Sequence, residues 1–582
     1  MSGSAFAVTH HAFSSGAGRT ADRNRSHWST SKTPSYTKSV SWQHHPKLVL
    51  ENFRSVRERQ EIDFAPVTLL LGPNSAGKTT ILIALFYLQQ ILDREQCDPI
   101  YLEAMGNRRI DGFRSLVHNG DLNNVITIGI GFDPEQTIGV EYKTYLEELG
   151  DIFDIHFIKM KDIADETEKV YVEFKIAWSQ LHRAAYIKNY AVSINNEFIG
   201  ELSNDEYTKS SLVNRLNFTH PLLLPIDYNL WLESIDKEGL DTIASEFEIS
   251  LNDLIPGLER NKSGATERVK TVDYIFEEDK EKPMFPVFLK TKIGALPQLG
   301  RTVDTNLKVF DISEPVEYFN RDIITRVLTQ VFTSPLDKLN NYLKASVSIG
   351  PLRIIPDSSF TPNPYPEQNG WFDGTSAWDK LCLSQQNDSD LIKKVSDWFS
   401  NRDKLNTNYN IFSGGEFDIK TSPQLLGLKD NVYFCKIDSS QMLFPNQVGV
   451  GLTQIAPLII AANIVQDGLI AIEQPELHIH PALQLAVGDL FTQYPLDVKR
   501  PMFLVETHSE HILLRILKRI RQTTDNELPE SNYPVKPDFI SVIVFEDNNG
   551  STVTRKIDIT DDGDFKQKWP KGFFEERRGE LF

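Results

Sequence analysis

Gly72-Pro73-Asn74-Ser75-Ala76-Gly77-Lys78-Thr79-Thr80 decides how the rest of this sequence reads. It is a complete G-x-x-x-x-G-K-[ST] pattern, the loop whose glycines let backbone N–H groups curl around phosphate oxygens. The positive end of a helix that starts within the loop adds to that attraction. Lys78 is the group expected to reach the β- and γ-phosphates, and Thr79 the one expected to ligate Mg²⁺. Asn74, Ser75, Ala76, Gly77 and Thr80 complete the expected cradle. The flanks agree with this reading. Pro66-Val-Thr-Leu-Leu-Leu71 is a short apolar run ending in a glycine turn, which predicts a buried strand. A helical pattern runs from Lys78 to about Leu92.

Working outward, a second stretch carries matching chemistry. Leu469-Ile-Ala-Ile-Glu473-Gln474-Pro475-Glu476 reads as an apolar strand that delivers a carboxylate at its C-terminal end. An α/β sheet holds a metal-bound nucleotide at such ends, so Glu473 is expected to bind Mg²⁺ through water. A third stretch, Pro501-Met-Phe-Leu-Val-Glu506-Thr507-His508-Ser509, is another buried strand with a histidine just beyond it. His508 there is placed to hydrogen-bond a γ-phosphate or a neighbouring water. A helix is predicted from about Ser509 to Arg521. Lys47-Leu-Val-Leu-Glu-Asn-Phe53 alternates like a strand, and Val125 to Phe132 is a further strand candidate.

Bulk properties narrow the setting. The chain has 582 residues, enough for two to four folding units. Its formal net charge of −19 disfavours broad coating of DNA or anionic lipid, though not a local basic patch. The three cysteines, Cys97, Cys382 and Cys435, are far apart and at no zinc spacing. A disulfide framework is not expected, and a reducing, cytoplasmic setting fits. No run approaches the roughly 18 apolar residues of a membrane span, so no membrane association is expected.

The chain divides as follows. Residues 1–46, rich in Ser, Thr, Gly, His and Arg, form an expected flexible tail. Residues 47–135 form a first lobe with the phosphate loop. Residues 136–345 mix strand-like runs (Val170 to Ile176, Tyr190 to Ile194) with a helical one from Val316 to Leu343 that is interrupted at Pro335. They are expected to be an insertion of mostly helical character, without the sustained heptads of a long coiled coil. Residues 346–525 form a second lobe, and 526–582 a small C-terminal module. The alternation of strands and helices around the motifs predicts an α/β class.

These motifs together resemble the ABC-class AAA ATPases related to the overcoming-lysogenization-defect proteins and, more distantly, SMC-type heads. Asn52-Phe-Arg54-Ser55 is similar to their opening strand motif. Ile472 to Pro481 is similar to their acid strand and the turn after it, and Glu506-Thr-His508-Ser509 to their switch-histidine region. Gly350-Pro-Leu-Arg353 and Asp564 to Phe574, with Trp569-Pro570-Lys571-Gly572-Phe573-Phe574, resemble a subgroup of predicted ATPases often found near prokaryotic defence genes. The resemblance covers about Lys47 to Phe582 and is weak through the middle. It implies an ABC-type P-loop head that uses ATP and Mg²⁺, with Arg54 near the nucleotide. It also implies a homodimer or higher homo-oligomer, in which a signature segment of one copy closes on the phosphate loop of another.

Two segments compete for that signature. Phe412-Ser-Gly-Gly-Glu416 looks like the transporter motif, but it lies far upstream of Glu473 and precedes strand-like Phe417 to Lys420. Val448-Gly449-Val450-Gly451-Leu452-Thr453-Gln454 opens an apolar helix shortly before the acid strand, so Gly449, Gly451 and Thr453 are the candidates, with Thr453 in the usual serine role. One departure stands out. The wider class has a water-activating glutamate after the metal-binding acid, and here Gln474 occupies that position. A glutamine orients water but cannot take its proton, and loss of a general base costs roughly 10²- to 10⁴-fold. Either hydrolysis is slow, or Glu476 or His508 serves instead.

The helix after His508 carries Arg515, Lys518, Arg519 and Arg521, three of which share one face. A solvated helix end and a nucleic-acid face are both open readings. The acids Asp558, Asp561, Asp562 and Asp564 read as a charged turn rather than a nuclease centre, because about 70 residues after His508 are too few for a nuclease domain. The expected function is an ATP-dependent switch that controls a separate effector, a nuclease by analogy. The alternatives are a repair ATPase that binds DNA and a scaffold that ATP merely stabilises.

Overall fold

The computed structural model describes residues 46–134, 138–142, 163–206, 209–217, 219–224, 287–307, 315–387, 389–413, 431–439, 441–494, 500–548 and 550–567. The tail expected over 1–46 lies outside these apart from Pro46. So do Trp569 to Phe574 and the glycines of the rejected signature segment. What precedes those glycines is a strand, Tyr409–Ser413, not a helix entry.

The phosphate-loop strand Val67–Leu71 sits inside a six-stranded sheet. Its order is Val347–Ile349, Leu469–Glu473, Met502–Glu506, Val67–Leu71, Ile540–Asn548, Ser551–Ile557. The first five strands run parallel and the last folds back antiparallel. Every residue of the three strands that carry or precede the motifs is buried. Continuous apolar strands of this kind need cover on both faces. Alternate side chains supply it by pointing to opposite sides. Leu70, Ala471, Leu504 and Ile543 enter one core with helix Lys78–Arg94. Leu69, Ile470, Ile472, Val505 and Val544 enter a second core with helices Val450–Ile464, Pro481–Thr492 and Glu510–Thr524.

Helix Lys78–Arg94 is buried almost throughout, because its core also draws on a second sheet. Among the described residues that sheet has nine antiparallel strands, in the order Leu296–Pro297, Phe288–Ile293, Ser210–Leu216, Glu197–Ser203, Ala184–Ile194, Val170–Ser179, Ile126–Phe132, Lys47–Glu51, Gln60–Asp63. Leu48, Leu50, Ile128 and Val172 are its contribution to the shared core.

The fold is α/β, as expected, but 136–345 is not mostly helical where it is described. Strand outweighs helix there, and its strands extend the sheet begun by Lys47–Glu51. Polar–apolar alternation such as Val170-Tyr-Val-Glu-Phe-Lys-Ile176, with every second residue buried through Ile176, is the strand period; it outweighs the local helix propensities. The helical expectation holds for its end. Helices Pro315–Phe332 and Ser334–Ala345 meet at Thr333, with Pro335 at the start of the second, where a missing N–H does no harm. Nor does 526–582 stand apart where it is described, since Ile540–Asn548 is a direct neighbour of the phosphate-loop strand. Among the described residues, no helix is long and apolar enough to cross a membrane.

Candidate functional site

The parallel sheet brings the three motifs to one edge. Glu473 and Glu506 are register partners on adjacent strands, and Glu506 pairs in turn with Leu70, two residues before Gly72. All three chain segments leave the sheet at their C-terminal ends, where open α/β sheets bind ligands.

The loop itself is tightly specified. Gly72 has φ of 145° and Gly77 of 97°. A Cβ on Gly77 would stand 2.5 Å from Ser55 Oγ and from Thr552 Oγ1, so only glycine fits between these two hydroxyls. Thr552 Oγ1 donates to the Ala76 carbonyl at 2.9 Å, and Ser55 Oγ lies 3.3 Å from Thr80 Oγ1. Asn74 and Ser75 are exposed at the loop tip, and Ser75 takes a left-handed φ of 66°.

Lys78 is buried, and its ammonium donates to the carbonyls of Gly72 and Pro73, both at 3.0 Å. It lies 3.9 Å from Glu506 Oε1. Burial lowers the Lys78 pKa, against the attraction of Glu506 and Glu476. Thr79 Oγ1 donates to Glu506 Oε2 at 2.9 Å. Burial raises the Glu506 carboxyl, while the Thr79 hydrogen bond and Lys78 pull it down and Glu473 pushes it up. Burial, then Lys78, lowers the His508 imidazole, with Glu476 and Glu506 opposing.

Glu473 is also buried, yet it faces a different partner. Its Oε2 accepts from Arg108 Nη2 at 2.9 Å, and its Oε1 has no hydrogen-bond partner among the described residues. Arg353, buried behind the strand end, donates to the carbonyls of Glu473 and Gln474, both at 3.3 Å, and to that of Gln454 at 3.1 Å. Burial lowers its pKa to about 10, with Glu476 opposing. Gln474 holds a left-handed φ of 45°, its N–H bonded to the Glu506 carbonyl at 2.7 Å. Non-glycine residues in that region cost roughly 1–3 kcal/mol, and they cluster at functional sites.

Glu476 is fully employed. Thr507 Oγ1 donates to one carboxylate oxygen at 2.7 Å and the His508 N–H to the other at 2.8 Å. It clamps the turn that carries His508, so it is poorly placed to take a proton from water.

Arg54, Ser55, Ser75, Gly77, Lys78, Thr79, Thr80 and Glu506 line a cleft of about 500 Å³ together with Arg114 and Asn119. That volume suits a nucleotide. Arg54 holds a φ of 50°, and burial and the nearby Arg108 lower its pKa. The donors also fit a hard divalent cation: a threonine hydroxyl and carboxylates, one with an unpartnered buried oxygen. Among the described residues no group of three or more His, Cys, Asp or Glu is placed to hold a metal ion.

Residues 46–230 match the family model of the AAA ATPase domain. The match covers less than half of the chain. A stretch of 46 residues is 54% identical to the DNA replication and repair protein RecF of Chloroflexus aggregans, covering 8% of this chain; the chain spans 11% of that relative's length. Solved SMC heads are similar over most of the chain. The SMC head domain from Thermotoga maritima has 8% identity and a TM-score of 0.34, covering 89% of this chain and all of that one. A Pyrococcus furiosus Smc head bound to the C-terminal domain of ScpA has 11% identity and a TM-score of 0.34, covering 92% of this chain and 98% of that one. At that score the likeness locates no residue.

The structure joins Lys78, Thr79, Glu473, Gln474 and His508 at one sheet edge. The signature candidates lie elsewhere. Gly449 caps helix Val450–Ile464, and Gly451 packs against the turn after the acid strand, where a Cβ would stand 3.0 Å from the His478 carbonyl. Gly449 and Val450 are exposed, but Thr453 is fully buried with its hydroxyl on the Val450 carbonyl at 2.8 Å.

On the helix after His508 the basic residues divide: Lys518 is exposed, whereas the arginines are engaged. Arg519 is buried and forks onto Asp489 at 2.7 and 2.9 Å, and Arg515 sits 3.7 Å from the same carboxylate. Arg521 bonds the Asp562 carbonyl and the Asp564 carboxylate. Arg515 and Arg519 join two helices, while Arg521 ties a turn with its side chain 52% exposed. Sequence reasoning missed Glu506 and Arg108 as site residues. Glu506 had a signal, since its strand ends in an acid just as the Glu473 strand does. Arg108 had none.

Proposed function

We propose that this chain is an ATP-driven switch subunit in which bound MgATP clamps two heads together and slow turnover resets them. What supports the reading is the convergence of Lys78, Thr79, Glu473 and His508 from three distant chain segments on one edge of the parallel sheet, beside the cleft that Lys78 and Thr79 line. Lys78 and the loop N–H groups would hold the phosphates, and Thr79 and Glu473 the cation. When bound, MgATP supplies the triphosphate and the charge that neutralises it. Before that, Lys78 must leave the Gly72 and Pro73 carbonyls, and Glu473 must exchange Arg108 for the cation's shell. His508 sits where it would sense the γ-phosphate, on a turn that Glu476 holds in place. Gln474 positions water without accepting a proton, which makes turnover slow.

The second head would present the helix start at Gly449 and Gly451 to this cleft. The effector under control is a separate protein, a nuclease of a prokaryotic antiviral system; that step rests on the motif resemblance alone. A second reading, direct DNA binding as in a repair ATPase, draws on the RecF-like stretch.

Sedimentation velocity with ATPγS and Mg²⁺, beside phosphate release with ATP, tests the proposal. A nucleotide-dependent dimer with turnover well below the roughly 10 per second typical of enzymes is expected. A monomer with ATPγS, or turnover of tens per second, would contradict it. DNA binding by the purified chain that weakens steeply with salt would favour the second reading.

A further inference from the structure

Two acid-tipped strands lie side by side here, and only one of the acids touches the phosphate loop. Glu473 is turned to Arg108, whereas Glu506 accepts from Thr79 Oγ1 at 2.9 Å and lines the cleft. We propose that Glu506 belongs to the cation site, as a second carboxylate beside Glu473 and the one that shares the cation with Thr79. The inference rests on the nucleotide reading above and extends it to a residue that the motif pattern does not assign.

Three observations carry it. First, ligands at 2.0–2.1 Å on adjacent corners of an octahedral Mg²⁺ stand about 2.9 Å apart. Thr79 Oγ1 and Glu506 Oε2 are already at that spacing. Second, Glu473 and Glu506 are register partners on adjacent parallel strands, and Glu473 Oε1, on a residue only 6% exposed, has no partner among the described residues. A buried carboxylate oxygen without a donor is costly unless a cation or its water serves it. Third, the other nearby acid is spent, because both Glu476 oxygens are taken by Thr507 and the His508 N–H.

The competing view is that Glu506 is only an acceptor for Thr79 and a counter-charge for Lys78. The two views differ over the negative charge. Glu506→Gln keeps an acceptor oxygen and the shape but removes the charge. As a cation residue, Glu506 is needed for the affinity that Mg²⁺ adds to nucleotide binding. As a mere counter-charge 3.9 Å from Lys78, it opposes phosphate binding whether or not metal is present.

The test is calorimetric titration of the full chain with ATPγS, once with excess Mg²⁺ and once with EDTA, for wild type, Glu506→Gln, Glu506→Asp and Lys78→Ala. For Glu506→Gln the gain in affinity due to Mg²⁺ is expected to fall about 10- to 100-fold, the range for lost metal-site partners. Affinity in EDTA should hold or rise. Glu506→Asp, which keeps the charge but draws it back, should fall between, and it serves if the Gln variant does not fold by circular dichroism. With ADP and Mn²⁺ in place of ATPγS and Mg²⁺, the paramagnetic resonance signal of free Mn²⁺ should be larger for Glu506→Gln than for wild type. An unchanged Mg²⁺ gain, or an unchanged Mn²⁺ signal, overturns the proposal. If wild type binds ATPγS and Lys78→Ala does not, the nucleotide reading stands whatever Glu506 does. If wild type binds in neither condition, both fall.

Discussion

Gln474 and Arg108 are the residues on which the proposed chemistry turns. Gln474 stands beside the acid in a strained conformation and is anchored by the Glu506 carbonyl, so its backbone is fixed whatever its side chain. Gln474→Glu restores a proton acceptor at a held position. Single-turnover phosphate release should rise by at least about tenfold, the lower reach of general-base effects being roughly 10². No change would mean that the base lies elsewhere. Arg108 neutralises a carboxylate that is nearly sealed from water. Removing one partner of such a pair leaves an uncompensated charge, at a cost of about 3–5 kcal/mol when both are buried. The Arg108 side chain is 29% exposed, so Arg108→Gln should cost less and lower the melting temperature by several degrees. Mg²⁺ with nucleotide should restore more of that loss than nucleotide with EDTA. An equal melting temperature with and without the substitution would show that the pair contributes nothing.

Elements carry the second layer of predictions. Helices Pro481–Thr492 and Glu510–Thr524 are joined by the buried Asp489–Arg519 fork. Arg519→Ala should destabilise by about 3–5 kcal/mol, measured by urea unfolding, whereas Arg519→Met with Asp489→Leu should return close to wild type. A nucleic-acid role for Arg519 predicts instead a stable protein with weaker binding. The hairpin Ile540–Asn548 and Ser551–Ile557 flanks the phosphate-loop strand, and Thr552 holds the loop through the Ala76 carbonyl. Truncation after residue 535 should therefore yield unfolded protein by circular dichroism rather than a working head without its last module.

At this scale the sequence was uneven in what it showed. Apolar strands ending in Glu473 and Glu506 announced themselves because a parallel strand is buried on both faces. The break at Pro335 and the helix start near Ser509 were equally plain, and Ser509 Oγ caps that helix by accepting from the Ile512 N–H at 3.2 Å. The nine-stranded sheet was hidden, since half-buried strands such as Ser210–Leu216 give short, weak alternation. Asp489 across from Arg519 was hidden for another reason: a contact between two helices leaves no trace in the spacing along either one. Arg108 met Glu473 from 365 residues away, with no motif to mark it.

For the whole molecule, one arrangement matters most: a single sheet edge that brings the loop at Gly72, the strand ending at Glu473 and the strand ending at Glu506 together in their observed order. Clamping of two heads, a cation gain through Glu506 and control of an effector all presuppose that a triphosphate sits there. Fluorescence titration of the full chain with an N-methylanthraniloyl ATP in Mg²⁺ is the most direct test of that claim. Saturable binding at one site per chain is expected, with loss of at least about tenfold in affinity for Lys78→Ala, a charge-assisted phosphate contact being worth roughly 1.5–3 kcal/mol. Absence of saturable binding, or equal affinity in wild type and Lys78→Ala, would contradict it.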